Sequence, residues 1–342
     1  MEKAKKKMKL WKKLLIIFIS VILALGLILT GAIAYFRLSV KSYYDASEYA
    51  FLIPGLSDGA IPQGFDYDET SGNFLVSAYM KDGSPSTLYL VEKESGKTTK
   101  NVTFLTDKGK DYTGHFGGVG VYHDFVYVAD GTNILVYSYQ AILNAENNAK
   151  IPCLGKISTK FSDDDYVKNS FVTVYGDTLI VGEFYNGTNY TTIESHHITT
   201  KSGEKNCAIA LEYDLNDSYT FGVAPAPKKA YSLPDKVQGL CINDGKIYLS
   251  TSYGLAFSHI YEHDTIMLTQ EDNATFLGIS LPVYSLTSES LVKDYKIAPM
   301  SEEIVIVDNE LYVMCESAST KYIFGNFIGA KWCHKTDLSK MK

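Results

Sequence analysis

Short apolar runs separated by polar turns recur along most of the chain and predict a repeated β-hairpin. The segment Val237–Tyr253 reads VQGLCINDGKIYLSTSY, in which two apolar runs flank an Asp-Gly turn. Apolar runs on both sides of Asp-Gly are typical of a hairpin. The pattern returns in four other segments, which are Gln63–Tyr79, Phe116–Asp130, Asn169–Phe184 and Met300–Glu316. Five copies of one hairpin predict an all-β repeat protein.

The spacing of these hairpins favours a β-propeller. They begin at residues 63, 115, 169, 238 and 301, and repeats of roughly 40–50 residues with four short strands each form propeller blades. We expect five blades. A sixth stays open as an alternative if Tyr219–Leu233 or Phe276–Ile297 forms a blade of its own. The last copy has no room for a fourth strand, so we expect Tyr49–Ile53 to supply it and close the ring.

A long uncharged segment near the N-terminus predicts a membrane helix. Leu14–Tyr35 contains no charged residue, and at about 1.5 Å per residue it covers the ~30 Å core of a bilayer. Seven lysines precede it within residues 1–13, which by the positive-inside rule places the N-terminus in the cytoplasm. The predicted order is a basic cytoplasmic tail at 1–13, a transmembrane signal-anchor at 14–35, a linker at 36–48 and an extracellular propeller at 49–342. The alternative is secretion after cleavage near Ala34, where Ala-Ile-Ala matches a signal-peptidase pattern.

Charge and cysteine content narrow the classes of partner. The net charge is −7 although the first 13 residues hold seven lysines, so the predicted propeller is strongly acidic. An acidic body argues against nucleic acid as a partner, because phosphate binding needs a basic face. The five cysteines show no zinc-ligand spacing. We expect them to be small buried side chains, with one disulfide pair left open.

Polar residues mark the two ends of each hairpin, and these ends should meet at one mouth of the central channel. The first strand of an antiparallel hairpin starts where the second one ends. We therefore expect ligand-binding groups at this mouth, which are Gln63, His115, Asn169, Gln238 and Tyr253. Carboxylate oxygens suit a divalent cation such as calcium, and the metal candidates are Glu183, Glu302 and Glu316. The competing interpretation is that these groups only bind neighbouring blades or trapped water.

Several short motifs support a family resemblance. They are Pro62-Gln63-Gly64, His115-Phe116-Gly117-Gly118, Val181-Gly182-Glu183, Gln238-Gly239 and Ser301-Glu302. With the strands that follow them, these motifs resemble secreted bacterial propellers of the gluconolactonase-like and NHL-repeat superfamilies, over residues 60 to 335. The resemblance implies the propeller fold. It does not select an activity, because that superfamily holds lactonases, lyases, binding modules and scaffolds.

Two hypotheses of function follow, and whether the chain is an enzyme stays open. The first is a membrane-anchored binding module at the cell surface, which binds a cell-wall glycan, a small molecule or a protein at the mouth of its central channel. The alternative is a lactonase- or lyase-like hydrolase in which a divalent cation polarises a carbonyl. In that case His115 is the catalytic general acid or base.

Overall fold

One long helix and a ring of sheets make up the described chain. The computed structural model describes residues 9–342, so most of the basic tail predicted at 1–13 lies outside the described residues. Helix α1, Leu10–Ser39, contains the whole apolar segment 14–35 and has no buried residue. Among the described residues it is the one helix long and apolar enough to cross a membrane.

The ring consists of five blades, and each has a core of four antiparallel strands ordered from the central channel outwards; Ala149–Ile151 adds a parallel edge strand to blade 1. Blade 1 is Ala60–Asp68, Asn73–Met80, Thr87–Glu92 and Thr98–Phe104. Blade 2 is Val119–Tyr122, Phe125–Asp130, Asn133–Ser138 and Gly155–Ser158. Blade 3 is Asn169–Tyr175, Thr178–Glu183, Ala208–Asp214 and Lys229–Leu233. Blade 4 is Val237–Asn243, Lys246–Thr251, Ser258–Asp264 and Leu291–Ile297. Blade 5 is Ser301–Val307, Glu310–Cys315, Trp332–Thr336 and Ser47–Leu52. The five-bladed propeller predicted from the repeated hairpins is confirmed.

Blade 5 closes the ring by joining the two ends of the propeller. Its outermost strand, Ser47–Leu52, pairs antiparallel with Trp332–Thr336, and Tyr49 lies opposite His334. The segment around Tyr49 therefore supplies the fourth strand, as expected. The residues before it are also part of the fold, since the segment predicted as a linker at 36–48 contains the short helix α2, Lys41–Asp45, and buries Tyr43.

The alternative of a sixth blade is wrong. Lys229–Leu233, from the first segment considered for it, is the outermost strand of blade 3, and Leu291–Ile297, from the second, is the outermost strand of blade 4. The connection between the third and fourth strands of blade 4 adds Val283–Ser285 and Thr269–Gln270 to the edge of blade 3. Both segments therefore complete existing sheets.

Short elements occupy the connections between the blade strands. The strands are Ala149–Ile151, Ile198–Thr199, Lys205–Asn206, Ala274–Phe276 and Ile279–Leu281. The helices are α3, Tyr139–Asn144, and α4, Gly325–Ile328. Single 3-10 turns are formed by Leu56–Asp58, Glu194–His196, Thr220–Gly222, Thr265–Met267, Glu316–Ala318 and Leu338–Lys340.

The apolar runs of the strands are continuous because each blade is packed on both faces. In blade 1, Leu75 packs with residues of blade 2, whereas its neighbours Phe74 and Val76 pack with residues of blade 5. Successive side chains of a strand point to opposite faces of a sheet, so both sets of positions must be apolar. The five cysteines are free, and four of them are buried in this packing.

Candidate functional site

A cavity of about 560 Å³ opens at the end of the channel where the innermost strands begin. All five blades contribute to it. Seven of the eight residues that the sequence proposed for a site line this cavity, which are Gln63, His115, Asn169, Gln238, Tyr253, Glu302 and Glu316. The antiparallel geometry that predicted their convergence is therefore correct, and the size of the cavity falls within the range of small-molecule sites.

A repeated irregularity in the innermost strands turns these residues towards the cavity. The pairing register shifts near the start of the innermost strand in blades 1, 3, 4 and 5. Such β-bulges reorient side chains and recur next to functional sites. The first residues within the shift all line the cavity, and they are Gln63, Ser170, Gln238 and Glu302. The lining residues that face them across the hairpin are Tyr79, Phe184, Ser252 and Glu316.

Glu183 is the one proposed residue that lies outside the cavity lining. It pairs with Asn169 in blade 3, so by register it corresponds to Cys315 in blade 5, and Phe184 corresponds to Glu316. A displacement of one residue moves a side chain to the other face of a strand. The buried carboxylate of Glu183 instead accepts a hydrogen bond from the backbone N–H of Ile209 at 3.3 Å, and its Oε2 lies 2.8 Å from Nδ1 of His196.

Glu303, which sequence reasoning missed, lies outside the cavity lining and connects several blades across the channel. Its side chain is 1% exposed. Oε2 accepts hydrogen bonds from the backbone N–H groups of Phe65 at 2.7 Å and Val119 at 3.1 Å. Oε1 accepts one from Val172 at 2.9 Å. One carboxylate of blade 5 thus binds the innermost strands of blades 1, 2 and 3. Burial raises the pKa of Glu303, and these three N–H groups oppose that rise.

Glycines provide the space for this carboxylate. A Cβ atom on Gly239 of blade 4 would lie 2.6 Å from Cγ of Glu303, and one on Gly118 of blade 2 would collide with its Oε1. A signal for Glu303 was therefore present in the sequence. Gly64, Gly118 and Gly239 occupy, in blades 1, 2 and 4, the repeat position that Glu303 holds in blade 5, and glycine there leaves room for a large side chain from another blade.

Glu302 and Glu316 form a pair of carboxyl groups inside the cavity. Glu302 is 4% exposed, and burial raises its pKa, with further increases caused by the charges of Glu316 and Glu303. Burial also raises the pKa of Glu316 to about 7, although Lys321, Tyr322 and Gln63 oppose this rise. Gln63 donates a hydrogen bond from Nε2 to Oε2 of Glu316 at 3.3 Å. Within residues 9–342, no side chain or backbone group donates a hydrogen bond to the carboxylate of Glu302.

Lys321 and its neighbours line the cavity beside the carboxyl pair, and sequence reasoning did not find them. The ammonium group of Lys321 donates a hydrogen bond to the Tyr79 hydroxyl at 2.8 Å. The Tyr79 ring lies against the His115 ring, with centroids 4.3 Å apart. His115 is accessible at the mouth yet surrounded by protein, so desolvation lowers its pKa, and the charge of Lys321 lowers it further. Lys321 belongs to a blade-5 connection without apolar periodicity, which gave no sequence signal.

Aromatic side chains form the rim of the cavity on the side of blades 3 and 4. Tyr190 comes from the polar insertion between the second and third strands of blade 3, and its ring meets Phe184 edge-on at 5.3 Å. Asn189, in the same insertion, donates a hydrogen bond from Nδ2 to the Tyr253 hydroxyl at 3.1 Å. The insertion therefore extends one wall of the cavity.

The arrangement does not favour the proposed cation site. No group of three or more His, Cys, Asp or Glu side chains within residues 9–342 is placed to hold a metal ion. Glu302 and Glu316 approach each other, whereas Glu183 stays with His196. Calcium binding by Glu183, Glu302 and Glu316 therefore stays a prediction.

The fold and the cavity define the class of this chain as a five-bladed β-propeller with a polar, aromatic-walled central cavity. No family model and no curated protein matches the sequence. The gluconolactonase-like and NHL-repeat resemblance within that class is thus not confirmed.

Solved structures with a similar fold were found at low identity. Glutaminyl cyclase from Myxococcus xanthus is 10% identical, with 81% of this chain and 89% of that chain covered and a TM-score of 0.41. The RS223 β-xylosidase is also 10% identical, with 85% and 94% covered and a TM-score of 0.41. The Dos1 propeller is 10% identical, with 75% and 55% covered and a TM-score of 0.31. These likenesses concern the propeller fold alone.

Proposed function

We propose that this chain is a membrane-anchored propeller that binds a saccharide in its central cavity on the outer side of the membrane. The observation that carries the binding proposal is the carboxylate of Glu302. It lines the cavity and receives no hydrogen bond from residues 9–342. A carboxyl group that the protein leaves without a hydrogen-bond partner can bond a ligand that presents hydroxyl or amide groups.

The other lining groups favour a neutral sugar over a charged ligand. Among the described residues of the lining, the two acidic residues Glu302 and Glu316 are matched in number by the two basic residues Lys168 and Lys321. The amides of Gln63 and Gln238 can both donate and accept hydrogen bonds. The aromatic walls offer flat apolar surfaces on which the C–H face of a sugar ring packs. A few polar groups among apolar walls are typical of small-molecule sites.

The anchoring proposal depends on α1 and the lysines before it. The helix is exposed along its apolar length, which is unfavourable in water and favourable in lipid. The cluster of lysines on its N-terminal side favours a cytoplasmic N-terminus. The propeller then lies outside the cytoplasm, at the cell surface.

A titration of the full chain in detergent tests the binding proposal. A panel of neutral and N-acetylated disaccharides at millimolar concentrations would be screened, and hits would be measured by calorimetry. We expect at least one sugar to bind, and Glu302→Gln to weaken it by roughly tenfold or more. Glu94→Gln, on an exposed turn, is the matched control and should leave affinity unchanged. Absence of binding across the panel, or equal affinities of both variants, would contradict the proposal.

A second candidate function is hydrolysis of the bound saccharide by the two carboxyl groups. Glycoside hydrolysis uses a pair of carboxyl groups, one of which has a raised pKa. Glu302 and Glu316 are two carboxyl groups in one cavity, and the pKa of Glu316 is raised to about 7. This candidate differs from the metal-dependent hydrolase predicted from the sequence, since it needs no cation. Release of nitrophenol from aryl glycosides, lost in both Glu302→Gln and Glu316→Gln, would favour it. Binding without turnover would favour the binding module.

A further inference from the structure

We propose that the face carrying the cavity mouth rests on the bilayer that α1 spans, with an anionic headgroup surface as its partner. The proposal rests on the membrane anchoring proposed above. It orients the propeller, so that ligands enter the cavity along the membrane surface.

The contact between α1 and the propeller fixes which part lies next to the membrane. Residues 10–32 of α1 are exposed, and contact with the propeller begins only near its C-terminal end. There the Phe36 ring lies 5.6 Å from that of Phe257 and 5.7 Å from that of Phe324, and Tyr35 lies 5.7 Å from Phe257. Tyr35 is the last residue of the uncharged segment, so it lies at the surface of the bilayer. Phe257 and Phe324 contact Tyr35 or Phe36 and therefore lie about one side-chain length from that surface.

The two loops that hold these phenylalanines also line the cavity. The blade-4 loop contributes Ser252, Tyr253 and Gly254 to the lining, three residues before Phe257. The blade-5 loop contributes Lys321 and Tyr322, two residues before Phe324. The mouth of the cavity and the end of the membrane helix are therefore on the same face of the propeller.

Exposed apolar side chains on these loops are suited to the membrane interface. Leu255 is 61% exposed, Ile323 59% and Phe327 50%. They lie on the same two loops as Phe257 and Phe324, whose rings pack against the end of α1. Exposed apolar groups close to one another mark interaction sites, and aromatic side chains are enriched at the level of lipid headgroups.

The charges beside the end of α1 and at the hairpin turns favour the same orientation. Near the helix, the ammonium group of Lys296 lies 3.9 Å from the centre of the Phe257 ring, and Arg37 lies over the Tyr44 ring. Basic groups at this level are attracted by anionic lipids. At the other end of the innermost strands, every blade has an aspartate in its first hairpin turn or directly before it, and these are Asp68, Asp124, Asp177, Asp244 and Asp308. An anionic surface would repel that face.

Fluorescent labels on single cysteines test this orientation in the full chain. The protein would be placed in nanodiscs containing phosphatidylglycerol, in a Cys153→Ser background, because the other four native cysteines are buried. Labels at Leu255→Cys and Phe327→Cys would be quenched by lipids that carry a nitroxide in the headgroup region. Ile266→Cys is the matched control, since Ile266 is 89% exposed and follows Thr265, which bonds the hairpin turn at Gly245.

We expect quenching at residues 255 and 327 to be at least about twofold stronger than at 266. Quenching at 255 and 327 as weak as at 266 would overturn the orientation. A label at Leu23→Cys, with nitroxides in the acyl chains, reports separately on insertion of α1. Its failure to be quenched would overturn the anchoring and the orientation together. The saccharide titration in detergent is independent of both results, so failure of binding is distinguished from failure of docking.

Discussion

The two ends of the central channel share the same five strands but differ in chemistry. At the strand starts, long loops surround a cavity of about 560 Å³ with carboxyl, amide and aromatic groups. At the hairpin turns, a cavity of about 330 Å³ includes Asp66, Thr173 and Cys241 in its lining. Glu303 lies between the two ends and binds three backbone N–H groups.

The difference between the ends follows from how the strands are connected. A tight hairpin turn fixes its residues by backbone geometry, as in blade 4, where Asp244 and Gly245 have φ values of 47° and 71°. The longer loops at the other end carry no such requirement and supply Tyr190, Tyr253 and Lys321 to the cavity. Functional residues concentrate on loops held by a rigid scaffold. We therefore assign ring stability to Glu303 and recognition to the loop-bearing end.

The largest expected effect is on the residue between the two ends. Glu303→Gln replaces one acceptor oxygen by an NH₂ group, which leaves at least one buried backbone N–H without an acceptor. We expect the free energy of unfolding to fall by about 3 kcal/mol, measured by denaturant titration of the full chain in micelles. Glu94→Gln is the matched control. Equal stability of the two variants would show that Glu303 does not hold the blades together.

The pH dependence of stability probes the loop-bearing end. The pKa of Glu316 is raised from 4.5 to about 7 in the folded chain, so the folded state binds this proton more tightly than the unfolded state. Stability from this group therefore increases as pH falls from about 7 towards 4.5, and it is lost as pH rises. Glu316→Gln should reduce the difference in unfolding free energy between about pH 5 and about pH 7.5 by roughly 2 kcal/mol. An unchanged difference would contradict the assigned environment of Glu316.

Ligand affinity separates the two ends most directly. At about pH 8, where a carboxyl group with a pKa of about 7 is mostly ionised, Glu316→Gln should weaken saccharide binding by roughly tenfold, because a charged acceptor becomes neutral. Asp66→Asn makes the same kind of change at the other end, where Asp66 accepts a hydrogen bond from the backbone N–H of Val121 at 2.7 Å. Calorimetry should show no change in affinity for Asp66→Asn. If both variants lose affinity equally, recognition is not confined to the loop-bearing end.

The sequence predicted the architecture well because repetition carries the signal. Each hairpin has its own turn and apolar runs, so five copies give the blade number, and the short final copy indicates closure by the strand near Tyr49. Convergence of Gln63, His115 and Glu302 also follows from antiparallel pairing alone. These predictions depend on local pattern and topology, which are readable without side-chain positions.

The site was predicted less completely, for physical reasons. The prediction for Glu183 depended on which face of its strand each side chain points to. Successive side chains alternate between the two faces, and Phe184, the next residue, lines the cavity in place of Glu183. Glu303 acts across the channel on three other blades, and such distant contacts leave only an indirect signal in the glycines that face it. Lys321 and Tyr190 come from loops without periodicity, so no pattern places them at the cavity.

The smallest expected effect concerns the wall formed by Lys321. Tyr79→Phe removes the hydroxyl that accepts the hydrogen bond of Lys321 but keeps the ring that lies against His115. One lost hydrogen bond is worth about 1 kcal/mol, so we expect saccharide affinity to fall by roughly threefold to fivefold. Tyr67→Phe, at the hairpin-turn end of the same blade, is the matched control and should leave affinity unchanged. A loss of affinity as large as that of Glu316→Gln would mean that Lys321 itself binds the ligand and that only the Tyr79 hydroxyl holds it in place. Full retention of affinity would instead place recognition on the carboxyl pair and the aromatic rim.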